Sequence, residues 1–324
     1  MIQILFALGG PADGLDAALD FIAKAAPDGS FFSAANDLRA LVAVVLVSLT
    51  CGAIGPLVVG GRLAFFSDAM AHCAFASVTV GFLLFTFGLA GVGPNVDFWD
   101  WITPVMIGFA LLVGFGIELT REKTGLSSDT IIGIFFAFAV GLAAMLRKLA
   151  PNRKLFTLED VLFGDPLLVR SQEVIYLAVL FVLTAVGLSL LFNSLFLAGF
   201  NTSLALSRRV RLGLVQRLFI LLLAVVVTLC VRTVGVLLVN ALLVVPAATA
   251  ANLSRNLRQM FWWSVGICLA SSLLGQVIVW ETYVYKDISL GTPGVIILVS
   301  VALFVGSALV GPWLQRRAGA DSRQ

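Results

Sequence analysis

Charge is what this chain has least of. Charged residues make up 12% of its 324 positions and hydrophobic residues 60%, whereas a soluble domain carries about 25% and about 45–50%. An ordinary soluble globular fold is excluded. Histidine is scarcer still, with His72 the only one. The four cysteines (Cys51, Cys73, Cys230 and Cys268) never form a C-x-x-C pair and all fall in apolar runs, so they read as small buried hydrophobes. The chain has no G-x-x-x-x-G-K-[ST] phosphate loop, no H-E-x-x-H and no G-x-S-x-G, which removes the ATPase, metalloprotease and hydrolase signatures. Any use of ATP would fall to another polypeptide. Met1–Gly9 is apolar but lacks the basic flank of a cleavable signal. Alternating ten-residue segments, which a membrane barrel needs, are missing. A net charge of +3 gives no footprint for nucleic acid, and none is expected as a partner.

Present instead are apolar runs of helix-spanning length, about 20 residues each, and a mean hydropathy of +1.05. The expected fold is an all-α polytopic membrane protein with about eight to nine transmembrane helices. Nine segments stand out, near 38–59, 63–89, 101–119, 130–146, 174–196, 218–231, 234–251, 261–283 and 294–313. Gly52, Gly55 and Pro56 predict a kink or close packing in the first, and Pro246 predicts a break in the seventh. Residues 1–37 form an N-terminal extension, 38–315 the transmembrane domain and 316–324 a tail. In the extension, Leu15, Leu19, Ile22 and Ala26 share one helical face, predicting a short amphipathic surface helix. Basic turns prefer the cytoplasm. Arg121/Lys123, Arg208–Arg217, Arg255/Arg258 and Arg316/Arg317 fall on one side of a nine-span chain, which is then inside, with the N-terminus outside. The connection with Arg147, Lys148, Arg153 and Lys154 falls on the other side. Arg121, Glu122 and Lys123 read as a solvated loop, and residues 158–165 as a short surface or re-entrant helix.

The second segment carries the chemistry. Asp68 and His72 are four residues apart and share a helical face, with Cβ atoms about 5–6 Å apart. Ionisable groups at membrane depth are costly and mark functional sites. Carboxylate oxygen and imidazole nitrogen both bind divalent transition metals. The alternative is an Asp–His hydrogen bond that only locks two helices. One Asp and one His are too few for a metal that takes four to six ligands. A two-fold axis beside this segment would double them. Cys73 lies about 100° around the helix from His72, away from that cluster. Thr79 continues the face as a candidate path-lining residue. Asn240, in the seventh segment, is either a second one or interhelical glue.

These residues resemble a known family, the permease subunits of bacterial zinc/manganese ABC importers. The resemblance is carried by Gly61-Arg62-Leu63-Ala64-Phe65-Phe66-Ser67-Asp68-Ala69-Met70-Ala71-His72-Cys73 and by the run from Val234 to Ala250. Two shorter stretches, Asp129–Ile134 and Leu162–Asp165, add to it. Ser67 and Asn240 depart from the family's usual Gly and Ser/Thr. The resemblance implies the metal-chelate type of ABC permease and a multi-pass place in the inner membrane. It implies a homodimer or a pairing with a paralogous permease, a cytoplasmic ATP-binding subunit and an extracytoplasmic metal-binding protein. Asp68 and His72 would line a path for zinc or manganese, with ferrous iron suited to the same donors, and no cofactor would be permanently bound. The resemblance further implies an ATPase-coupling loop containing Ser203, Leu204, Ala205, Arg208, Arg209 and Arg211. This loop lacks the family's acidic residues, and Arg209 replaces its glycine. The competing reading is a proton-coupled secondary metal carrier with no ATPase.

Overall fold

The structure, a computed structural model, describes residues 11–27, 31–86, 98–148, 164, 166, 169–200, 212–286 and 290–321. Their regular structure is helical. A short helix α1 (Pro11–Ala25) and a 3-10 turn (Phe31–Ser33) precede nine long helices. These are α2 (Ala35–Gly60), α3 (Ala64–Thr86), α4 (Phe98–Thr124), α5 (Ser128–Lys148), α6 (Ser171–Phe200), α7 (Leu212–Val234), α8 (Val236–Leu253), α9 (Leu257–Lys286) and α10 (Thr292–Asp321). All nine are long and apolar enough to cross a membrane, matching the nine expected segments. The chain divides into two compact units. One comprises residues 1–56, 163–183 and 233–324, the other residues 57–162 and 184–232.

In the first unit α8, α9 and α10 pack on one another, and α2 lies against α8 and α9. The approach is close: a Cβ on Gly55 would stand 2.6 Å from the Leu243 carbonyl oxygen. The close packing expected around Gly52 and Gly55 is therefore present. The break expected at Pro246 is not. α8 runs unbroken through Pro246, as α2 does through Pro56. A proline inside a helix orphans the carbonyl four residues earlier, and in lipid that carbonyl needs another partner. Here α9 supplies both partners. The Ser264 hydroxyl donates to the Gly52 carbonyl at 2.9 Å, four residues before Pro56. The Cys268 thiol lies 3.6 Å from the Leu242 carbonyl, four residues before Pro246. Ser264 and Cys268 are one turn apart on α9, so one helix face closes both gaps. Further along, the Ser48 and Ser272 hydroxyl oxygens lie 2.6 Å apart.

In the second unit α3 packs against both α4 and α5. Its start is set by the turn after α2. The Leu63 N–H reaches back to the Val58 carbonyl at 2.9 Å and the Arg62 N–H to Val59 at 3.2 Å, the two bonds of a Schellman cap. Arg62 takes the left-handed position at φ 56°, where glycine is usual. Gly235 (φ 85°) separates α7 from α8. It supplies a conformation that side chains resist.

Two smaller expectations change. On α1, Leu19 is buried and Leu15 and Ala26 are half-buried, but Ile22 is exposed. Inside, its place is taken by Asp16 and Ala23, both half-buried. Asp16 turns inward because it has partners there, the Arg39 guanidinium at 2.6 Å and the Ser171 hydroxyl. Arg121, Glu122 and Lys123 are not a loop. α4 continues through Thr124, and Glu122 is ion-paired with Arg217 of α7.

Candidate metal path on α3

Most of α3 is buried, with Ala, Ser and Met facing its neighbours. Small residues there let the backbones of α4 and α5 come close. One stripe escapes this packing: Phe65 is 69% exposed, and Asp68, His72 and Phe75 are half-buried. Their spacings of three, four and three residues follow one helical face. The two ionisable side chains of α3 thus both lie on its less covered face. At 1.5 Å per residue, Asp68 stands about 6 Å and His72 about 12 Å from Ala64, on a helix about 34 Å long. The pair occupies the half of α3 nearer its first turn.

The His72 ring meets the Phe136 ring of α5 edge-on, with centroids 4.7 Å apart and planes at 80°. This contact fixes the ring against one wall. Asp68 has a partner of its own. Among the described residues, no group of three or more His, Cys, Asp or Glu side chains is placed to hold a metal ion. By themselves Asp68 and His72 would offer a metal ion only two side-chain donors, fewer than the about four to six it takes. Cys73 is buried, away from the stripe.

Thr79 lies at the same angle around α3 but one turn beyond Phe75, where the packing closes. It is 5% exposed and donates its hydroxyl to the Phe75 carbonyl at 3.2 Å. Ser67 and Ser77 spend their hydroxyls in the same way, on Ala64 and Ala74. Asn240 is half-buried on α8, in the other unit. Ser203, Leu204, Ala205, Arg208, Arg209 and Arg211 lie outside the described residues, as do residues 158–163 and 165.

One buried acid escaped the sequence reading. Glu118 is 2% exposed on α4, with Arg121 3.6 Å away one turn on. The available signal was a lone carboxylate inside an apolar run, the same one that marked Asp68.

A family model described as the ABC 3 transport family matches residues 35–311. The chain belongs to the ABC 3 transport family. The manganese import system permease protein ScaB of Streptococcus parasanguinis is 27% identical over 274 residues, covering 85% of this chain and 90% of that one. The high-affinity zinc uptake system membrane protein ZnuB of Haemophilus influenzae is 26% identical over 239 residues, covering 74% and 86%. Among solved structures, PsaBC from Streptococcus pneumoniae in complex with Fab matches with a TM-score of 0.66 at 23% identity, covering 84% of this chain and 90% of that one. An inward-facing conformation of a putative metal-chelate type ABC transporter matches at 0.62 and 17%, covering 95% and 99%. These two show the shared fold. This member of the ABC 3 transport family is a multi-pass inner-membrane permease subunit and not an enzyme.

Proposed function

We propose that this permease moves a divalent transition-metal ion, manganese or zinc, into the cell in an ATP-driven complex, along a path lined by Asp68 and His72. Ferrous iron suits the same donors. The observation that carries the reading is the half-covered stripe of α3, on which both side chains stay half-buried while most of the helix is buried. A second permease copy, or a paralogous one, applied along that stripe brings a second carboxylate and a second imidazole to the ion. Two carboxylates offset the charge of a divalent cation, which lowers the cost of taking it out of water. Four oxygen and nitrogen donors without a thiolate hold zinc less tightly than a cysteine site does, and a path requires release. Asn240 on α8 is a further candidate on the route. Metal reaches the complex from an extracytoplasmic metal-binding protein, and the loop at 201–211 is the candidate contact with the ATPase.

The test is uptake of radioactive manganese and zinc by proteoliposomes holding the permease with its ATPase and binding protein. Wild type should accumulate metal only with internal ATP. Asp68→Asn and His72→Ala should assemble normally and lose uptake. Uptake that ignored ATP but collapsed with a proton gradient would replace this reading with the secondary carrier.

A further inference from the structure

Helix α1 has two chemically different outer sides. Asp13, Asp20 and Lys24 are exposed along one of them. Ala18, Phe21, Ile22 and Ala25 are exposed along the neighbouring flank, with Phe21 at 75%. At 100° per residue the two sets occupy adjacent arcs, while Leu15, Asp16, Leu19 and Ala23 turn toward the protein.

The depth of α1 follows from what it is tied to. Asp16 holds Arg39, in the second turn of α2, and Ser171, the first residue of α6. The turn after α1 places Phe31 against Trp280 near the end of α9, with ring centroids 6.1 Å apart and an edge-on geometry. The starts of α2 and α6 and the end of α9 are separated by four and eight crossings, so they lie on one membrane face. Exposed Tyr283 and Tyr285 continue that end of α9, as aromatic rings do at a lipid–water boundary. α1 is thus tied down where hydrocarbon gives way to headgroups.

We propose that α1 lies in the plane of the bilayer surface, with Phe21 and Ile22 in the acyl-chain boundary and Asp13, Asp20 and Lys24 in water. A helix with this division of faces buries its apolar side about 5–10 Å into the interface. The Asp16–Arg39–Ser171 cluster then binds an in-plane anchor to two spanning helices. Phospholipid is the occupant of the apolar flank, not a second protein.

The four native cysteines are buried, so one added cysteine on α1 can be labelled selectively in the full chain. Phe21→Cys, Ile22→Cys, Asp20→Cys and Lys24→Cys each receive a nitroxide and are reconstituted in phosphatidylcholine/phosphatidylglycerol vesicles. Collision with dissolved oxygen, which concentrates in lipid, is compared with collision with a water-soluble nickel chelate. The oxygen-to-nickel ratio should be several-fold higher at 21 and 22 than at 20 and 24. Equal ratios at all four positions would put the flank in water and overturn the proposal. Shielding of 21 and 22 from both reagents would overturn it in favour of a protein cover. The readout involves neither metal nor transport, so its failure leaves the role of Asp68 and His72 untouched.

Discussion

The seam of α2, α8 and α9 and the outer stripe of α3 both place polar groups at membrane depth, and they treat them oppositely. In the seam the carbonyls freed by the two prolines are both taken up. Two prolines orphan two carbonyls, and Ser264 and Cys268 take them up. On the α3 stripe two ionisable side chains remain half-covered. A polar group that is fully used and enclosed holds helices together. One that faces out of its own chain can meet something else. On this contrast the first region holds the helices together, and the proposed transport role falls to the second.

The largest effect that would break this division is on uptake. Asp68→Asn or His72→Ala should cut metal uptake by about tenfold or more, the equivalent of at least about 1.4 kcal/mol. The melting temperature of either variant in detergent should stay within a few degrees of wild type. A variant that lost uptake only because it unfolded would move the α3 stripe into the structural class.

Next comes the seam. Gly55→Leu pushes a side chain against the Leu243 carbonyl, 2.6 Å from where its Cβ would sit. It should destabilise the protein by about 2–3 kcal/mol, seen as a lowered unfolding midpoint.

Ser264→Ala sharpens the contrast. It leaves the Gly52 carbonyl bare and should cost about 0.5–1.5 kcal/mol. In a Pro56→Ala background the helix restores an N–H to that carbonyl, so the same change should cost clearly less. Equal costs in the two backgrounds would show that the serine is not compensating for the proline. The smallest effect belongs to the turn before α3. Arg62→Gly relieves a left-handed backbone and should stabilise by about 0.5–1 kcal/mol, read from the same unfolding curve.

Much of this was legible in the sequence because it is local. The nine helices follow from apolar run length punctuated by Gly, Pro and Arg, and the shared face of Asp68 and His72 follows from helical periodicity. What was not legible depends on distant partners. Pro246 reads as a break because nothing nearby reveals that Cys268 covers the carbonyl it frees. Pro56 depends on Ser264, more than two hundred residues away. Ile22 fits an apolar face by spacing, yet Asp16 occupies the inside because Arg39 and Ser171 wait there. Thr79 continues the stripe by angle and is closed off by packing that only the fold reveals. Glu118 sits by spacing at the end of its apolar run, next to Arg121, Glu122 and Lys123, and only the fold shows that it is buried.

The most direct test is X-ray absorption at the metal edge on the purified, zinc-loaded permease in lipid. The account predicts a first shell of oxygen and nitrogen donors with the outer scattering of imidazole, lost in His72→Ala and altered in Asp68→Asn. A bound-metal spectrum that is the same in wild type and in both variants would contradict it.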